Sequence, residues 1–275
     1  MSGEGYERPG VAGSGTIACG LAACASALGD VRLLARSDAS AWRAEEAAQT
    51  AATKLDDGDP RRIRVTTKPE DLEDCDLIVE AIVEDPDAKA ETLAQLGSAA
   101  PESDLASTTS SLSVAELGER SGQADRLFGL HVFNPPDRME LVELCFPTAL
   151  RNGVADRARA WCDALGKTGV EVPDQPGFVV NRLLFPFLFD AVRLMERTGL
   201  HAADIDACMR LGASHPMGPL KLLDFVGLDV AKAIGESLYA DAAEERYEPP
   251  GLIVEMVGEG KLGRKSGEGF YTYDD

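Results

Sequence analysis

Two regimes of hydrophobic patterning divide the chain, and they meet near residue 175. From Val11 to Val172, short apolar runs alternate with longer stretches of helical period. Short apolar runs bounded by turn residues read as buried strands, and strands alternating with helices build a mostly parallel sheet wound on both faces. The predicted order opens with a strand at Val11-Ala12, a helix over Thr16 to Leu28, a strand over Val31 to Ala35 and an Ala/Glu-rich helix over 38–54. Strands at Ile63-Arg64-Val65 and Leu77-Ile78-Val79, a helix over about 86–98 and a strand near Leu105 follow. A helix opens at Ser113 and continues to Arg120; Leu127 to Phe133 and Met139 to Leu144 are strands, 154–166 is helical, and Val170-Glu171-Val172 is a last strand. The first strand is weakly written, because Pro9 and Gly10 stand where β-branched residues are expected.

After Pro173-Asp174-Gln175-Pro176-Gly177 the period becomes helical almost to the end. Phe178 to Arg197 is apolar on most sides, which predicts a buried helix kinked at Pro186. Further helices are expected over Ala202 to Leu211, Pro219 to Val226, Leu228 to Tyr239 and Leu252 to Gly258. The expected organisation is an α/β domain over 1–174 followed by an all-α domain over 175–275. The helical segments carry more apolar surface than a monomer needs, so the second domain is expected to supply a homodimer interface.

A chain of 275 residues accommodates these two domains. No apolar run reaches the length of a membrane span, and Met1 to Pro9 is polar and acidic with no apolar core of a signal peptide. The six cysteines are scattered, with no CxxC pair and no histidine nearby. That distribution argues against a metal site and a disulfide framework and for a reducing cytoplasm, with the thiols as small core residues. The net charge of −20 disfavours nucleic acid as a partner. Binding an anionic ligand then falls to local basic groups, for which Arg36, Arg61-Arg62-Arg64, Lys68 and Lys261-Arg264-Lys265 are candidates.

Gly13-Ser14-Gly15-Thr16-Ile17-Ala18-Cys19-Gly20 places a glycine turn between a strand and a helix, with a second strand following at once. Glycines let backbone N–H groups approach a pyrophosphate, and a helix N-terminus favours its negative charge. A glycine turn before a helix is often only a turn, but this context makes Gly13, Gly15, Thr16 and Ile17 candidate dinucleotide ligands in a Rossmann-type, doubly wound domain. An acid is usual at the end of the second strand, where it holds the ribose 2′-hydroxyl. Here Arg36 and Ser37 stand in that place. A guanidinium pairs bidentately with a 2′-phosphate and Ser37 can add a bond, so NADP(H) is favoured within an NAD(P) expectation. The other reading is that Arg36 stacks on adenine or is merely exposed, with Asp38 taking the ribose.

The densest chemistry lies in His131-Val132-Phe133-Asn134-Pro135-Pro136-Asp137-Arg138-Met139-Glu140-Leu141-Val142-Glu143. Two apolar runs flank a proline turn, and if they fold back on each other His131 and Glu143 come within diagonal cross-strand reach. A carboxylate on one imidazole nitrogen fixes the tautomer and leaves proton movement to the other nitrogen. A plain sheet-edge hairpin with a backbone-satisfied histidine is the alternative. His201 and His215 read as structural or surface residues.

The string HxFNPxxxMxLVE resembles the catalytic segment of the L-3-hydroxyacyl-CoA dehydrogenase family. Collinear similarities accompany it: the glycine turn, Val79-Glu80-Ala81-Ile82-Val83-Glu84 followed by Lys89, and Ser107-Thr108-Thr109-Ser110-Ser111-Leu112. Pro176-Gly177-Phe178-Val179-Val180-Asn181-Arg182, Pro216-Met217-Gly218-Pro219 and Gly263 through Tyr271 complete the set. The resemblance implies an enzyme that interconverts 3-hydroxyacyl and 3-oxoacyl thioesters with NAD(P), in fatty-acid metabolism or in making polyketide precursors. It implies His131 as general acid/base, Glu143 as its orienting partner, Ser110 on the substrate 3-oxygen and Asn181 near the thioester, in a cleft between the domains. Glu84 and Lys89 match positions near the nicotinamide ribose; their other reading is an exposed pair flanking a helix start.

The chain departs from the family pattern at Ala18, Thr108 and Arg36, and residues 37–62 are shorter than the family's helical hairpin, which helps clamp CoA. The substrate carrier is therefore CoA or an acyl carrier protein. Two other functions stand beside this one. One is a dehydrogenase of a small free hydroxy acid or sugar acid; the other is a catalytically silent nucleotide-binding sensor or scaffold.

Overall fold

A computed structural model describes residues 5–273, which include most of the polar N-terminal segment; residues 1–4 of that segment lie outside the described residues. The chain separates into one compact unit ending at Gln175 and a second beginning at Pro176.

The first unit is built on an eight-stranded sheet. Its strands are β1 (Pro9–Ala12), β2 (Val31–Leu34), β3 (Ile63–Thr66), β4 (Leu77–Glu80), β5 (Asp104–Ser107), β6 (Leu127–Val132), β7 (Leu141–Cys145) and β8 (Thr168–Glu171). They lie in the order β3-β2-β1-β4-β5-β6-β7-β8. The first six in that row are mutually parallel; β7 runs antiparallel to β6 and is paired in parallel with β8. β1, β4, β5 and β6 are buried at every position, the pattern of a sheet covered on both faces. β1 forms despite Pro9 and Gly10. A Cβ on Gly10 would lie 2.5 Å from the Leu72 side chain, which would have to shift to admit it.

Helices α1 (Thr16–Ala25), α2 (Asp38–Ala52), α3 (Pro86–Ala99), α4 (Val114–Ser121) and α5 (Val154–Ala164) flank this sheet. Ala44, Ala48 and Ala52 recur every four residues on α2 and are fully buried. That small-residue stripe lets α2 pack closely on α1. The hairpin differs from the sequence reading in two ways. Its second strand starts at Leu141 rather than Met139, and His131 lies directly opposite Glu143 rather than diagonal to it. The last strand also starts earlier, at Thr168, and all four of its residues are exposed at the sheet margin.

The second unit contains α6 (Val180–Thr198), α7 (Ala202–Gly212), α8 (Pro219–Val226), α9 (Leu228–Ala242) and α10 (Gly251–Gly258). α6 was expected to be buried nearly all round. It is two-sided instead: Phe185, Leu188, Phe189 and Val192 enter the core, while Leu183 is 71 % exposed. The helix runs through Pro186. Two buried aspartates organise the rest. Asp206 caps α8 by accepting from the N–H groups of Leu220 and Lys221, at 2.8 and 3.0 Å. Asp224 holds the C-terminal segment through the N–H groups of Phe270 and Tyr271 and the Tyr273 hydroxyl.

All six cysteines are free thiols. Five are buried as expected, but Cys208 is exposed on α7. Burial pushes the Cys145 and Cys162 thiols up to about 12, aided at Cys145 by Asp174 and at Cys162 by Asp163. Among the described residues no helix is long and apolar enough to cross a membrane.

Candidate active site

The C-terminal ends of the parallel strands gather the candidate residues of the first unit along one sheet edge. β1 ends in Gly13, whose φ of +148° no L side chain adopts easily, and a Cβ there would lie 2.3 Å from the Ala81 carbonyl oxygen. Gly15 is the N-cap of α1 and no side chain caps the helix, so its first N–H groups are left to other acceptors. Ser14, Gly15 and Thr16 are exposed, Ile17 is half-buried, and nothing lies within 4 Å of where a Gly15 Cβ would be. An uncapped helix start with open space before it, at the point where the strand order reverses, fits a dinucleotide pyrophosphate.

Beside it, β2 leads to Arg36, which is exposed just beyond the strand end. Ser37 is committed locally. Its hydroxyl accepts from Ser40 N–H at 3.3 Å and its own N–H donates to Ser40 Oγ at 3.0 Å, a capping box that starts α2. Asp38 is exposed in the first turn of that helix.

Beyond β4 lies a buried charge cluster whose full extent the sequence did not reveal. Lys89, on α3, is completely buried, so the reading of Glu84 and Lys89 as an exposed pair does not hold. Its Nζ lies 2.8 and 3.1 Å from the two oxygens of Glu80, the last residue of β4 and also fully buried, and 3.3 Å from Glu84 Oε2. Ser107, at the end of β5, donates to Glu80 Oε2 at 2.6 Å. Glu80 and Ser107 were not among the candidates; an acid closing a strand as apolar as Leu77-Ile78-Val79 was the available signal.

Glu84 Oε1 in turn gathers the loop after β5. Thr109 Oγ1 and the N–H groups of Ser110 and Ser111 donate to it at 2.7, 2.7 and 2.9 Å, and the Ser110 and Ser111 hydroxyls lie at 3.2 and 3.0 Å. Burial alone would push the Glu84 carboxyl up. The Lys89 ammonium, the Thr109 hydroxyl and the Ser110 amide outweigh it and hold the carboxyl below the ordinary glutamate value. Ser110 is thus placed by the same carboxylate that Lys89 neutralises.

At the β6 end, His131 Nδ1 lies 2.7 Å from Glu143 Oε2, and the two residues are 5 % and 1 % exposed. Direct opposition in the antiparallel ladder brings the two side chains together on one face. A histidine held this way has its Nδ1 assigned to the carboxylate, so proton transfer would fall to Nε2. The Phe133 ring lies against the imidazole, with centroids 4.6 Å apart. Asn181 belongs to the second unit, buried in the first turn of α6. His201 is the exposed N-cap residue of α7, and the His215 ring lies against Phe187.

Comparison with known proteins shows the family. Residues 9–175 match the model of the 3-hydroxyacyl-CoA dehydrogenase NAD binding domain, and residues 177–273 that of the 3-hydroxyacyl-CoA dehydrogenase C-terminal domain. A probable 3-hydroxybutyryl-CoA dehydrogenase of Deinococcus radiodurans is 43 % identical over 213 residues, 77 % of each chain. FadB2 of M. tuberculosis superposes with a TM-score of 0.93 at 36 % identity, covering 98 % of this chain and 100 % of that one. The (S)-3-hydroxybutyryl-CoA dehydrogenase PaaH1 of Ralstonia eutropha superposes with a TM-score of 0.91 at 34 % identity, covering 98 % and 100 %.

Proposed function

We propose the reaction of this chain from one established premise: it belongs to the 3-hydroxyacyl-CoA dehydrogenase family and is an NAD-dependent oxidoreductase. The reaction is the interconversion of a 3-hydroxyacyl thioester and the 3-oxoacyl thioester. The observation that carries the site assignment is the buried His131–Glu143 contact of 2.7 Å. When bound, the nicotinamide supplies or accepts the hydride. His131 gives the proton to the new alkoxide in reduction and removes it in oxidation. Glu143 fixes the imidazole tautomer and favours the imidazolium that forms in oxidation. Ser110 stays fastened to Glu84 through its backbone N–H, and its hydroxyl turns from Glu84 Oε1, 3.2 Å away, to donate to the 3-oxygen where charge develops. Asn181 helps hold the thioester end. Lys89 is sealed from solvent, so it serves the cofactor side by setting Glu84 rather than by contact.

Within NAD(P), Arg36 remains the reader of a 2′-phosphate and favours NADP(H). The Ser37 hydroxyl is engaged in its capping box, so the guanidinium would carry that selectivity. CoA is the carrier we favour over an acyl carrier protein. A groove of about 640 Å³ between α2 and the turn joining β6 to β7 is lined by Arg43, Lys54 and Arg138, cations suited to phosphates. Glu46 and Asp137 also line it. The helical unit supplies a homodimer face: Leu183 and Leu194 lie three turns apart on the exposed side of α6, at 71 and 38 % exposure. The free thiols suit the cytoplasm.

The test is the initial rate of acetoacetyl-CoA reduction with NADPH and with NADH at equal concentrations. A faster rate with NADPH supports both the reaction and the role of Arg36. A faster rate with NADH keeps the reaction and removes that role. No rate with either overturns the CoA thioester reading in favour of a carrier-bound or free-acid substrate.

A further inference from the structure

Lys167 is a buried cation that the reaction just described does not use. It is 9 % exposed, and no carboxylate of the described residues forms an ion pair with it. Its Nζ instead donates to two backbone carbonyls, Pro136 O at 2.6 Å and Met139 O at 3.0 Å. The next residue continues the attachment, with Thr168 N–H donating to Glu140 O at 2.8 Å. Gly166, with φ +68°, makes the turn between α5 and β8 that sets Lys167 at this place. Burying an ammonium with only neutral acceptors is unfavourable unless its bonds are well made, so the pairing with this turn is specific.

The pinned segment is the turn between His131 and Glu143. On its other side it is held by α1: Cys24 Sγ lies 3.6 Å from Pro136 O, and a Cβ on Gly20 would meet the Pro136 ring at 2.9 Å. The same turn presents Pro135, Asp137 and Arg138 to the cation-lined groove; Lys167 does not line that groove but lines an adjoining cavity that shares Asp137 and Arg138 with it. His131 and Glu143 are held separately, by the β6–β7 ladder from Gly129↔Cys145 to Val132↔Val142. Loosening the turn therefore moves the groove wall and leaves the His–Glu pair in register.

We infer that Lys167 is a positioning residue for carrier recognition: it pins the 136–139 turn so that Arg138 is set to receive a phosphate of the CoA nucleotide. The inference rests on the reading of the groove as the CoA site and goes beyond it by assigning a residue outside the groove. It separates two kinds of substrate. A thioester that carries the nucleotide depends on Lys167; one that lacks it does not.

The experiment compares wild type, K167M and K167R in steady-state reduction of acetoacetyl-CoA and of acetoacetyl-N-acetylcysteamine, the same thioester without the nucleotide. K167M should raise KM for acetoacetyl-CoA about tenfold or more, the scale of effect of a misplaced positioning group. kcat/KM for the truncated thioester and KM for the nicotinamide cofactor should change less than about threefold. K167R, which keeps charge and donors, should recover most of the loss. An unchanged KM for acetoacetyl-CoA overturns the inference, and so does an equal loss on both thioesters and the cofactor, which is what a merely structural role produces. If K167M does not fold, K167Q, which keeps a donor for one carbonyl, carries the same comparison. If wild type does not turn over acetoacetyl-CoA, the reaction reading fails on its own, and calorimetric binding of CoA decides this point: equal affinity for wild type and the variant overturns it, and weaker binding by the variant upholds it.

Discussion

Each unit of the molecule buries carboxylates, but the two do so by different means. At the sheet edge, Glu80 is buried against the Lys89 ammonium, which also reaches Glu84. In the helical unit, Asp206 and Asp224 are buried against backbone N–H groups and tyrosine hydroxyls. The outcome differs in sign. Glu84 is held below the ordinary glutamate value. At Asp224, burial is the largest influence and, with Asp206 nearby, raises the carboxyl despite the bonds from Phe270, Tyr271 and Tyr273. Amide and hydroxyl donors suffice to fasten a chain segment, and Asp224 fastens the C-terminal one. Keeping a carboxylate ionised where it must organise the Ser110 loop takes a cation.

Removing that cation should have the largest effect. K89M leaves Glu80 as an uncompensated buried charge, so it should lower stability by about 3–5 kcal/mol, measured by denaturant unfolding. D224N removes no cation and mismatches one acceptor, so its cost should be about 1–2 kcal/mol. Similar losses for the two variants would erase the contrast. E84Q, by comparison, should fold. It weakens the acceptor of the Ser110 loop and should lower kcat/KM about tenfold to a hundredfold, the equivalent of one or two charge-assisted hydrogen bonds.

Acid separates the two clusters by sign. The folded-state value of Glu84 is depressed, so its stabilisation is present above the unfolded value near 4.5 and is lost as pH falls through the lower folded value. The folded-state value of Asp224 is raised, so its contribution is fully present below the unfolded value near 3.8 and is lost as pH rises through the folded value. Melting temperatures across about pH 3–7 should show it. E84Q should flatten the acid-side loss of stability, and D224N should steepen it. Parallel profiles for the two variants and wild type would contradict the assignment.

Local patterning disclosed much of this. The strand–helix alternation, the glycine turn and the spacing of His131 and Glu143 are properties of short segments, and the structure realises each of them. What stayed hidden depends on partners distant in sequence. The burial of Lys89 needs Glu80, contributed by a neighbouring strand, and the sequence around Lys89 looks like any exposed helix start. Direct rather than diagonal opposition of His131 and Glu143 follows from the ladder register, which the Asn134–Asp137 turn residues alone do not set. The two-sidedness of α6 is invisible because its exposed positions are apolar too. Nothing near Lys167 names the carbonyls it will meet 28 and 31 residues earlier.

The central claim is that His131, held by Glu143, moves the proton. Reduction of acetoacetyl-CoA by wild type and by H131A, each first shown to bind the nicotinamide cofactor with equal affinity, tests it most directly. The account predicts a fall in kcat of about two to four orders of magnitude in H131A. A folded, cofactor-binding H131A that keeps the wild-type rate would contradict it.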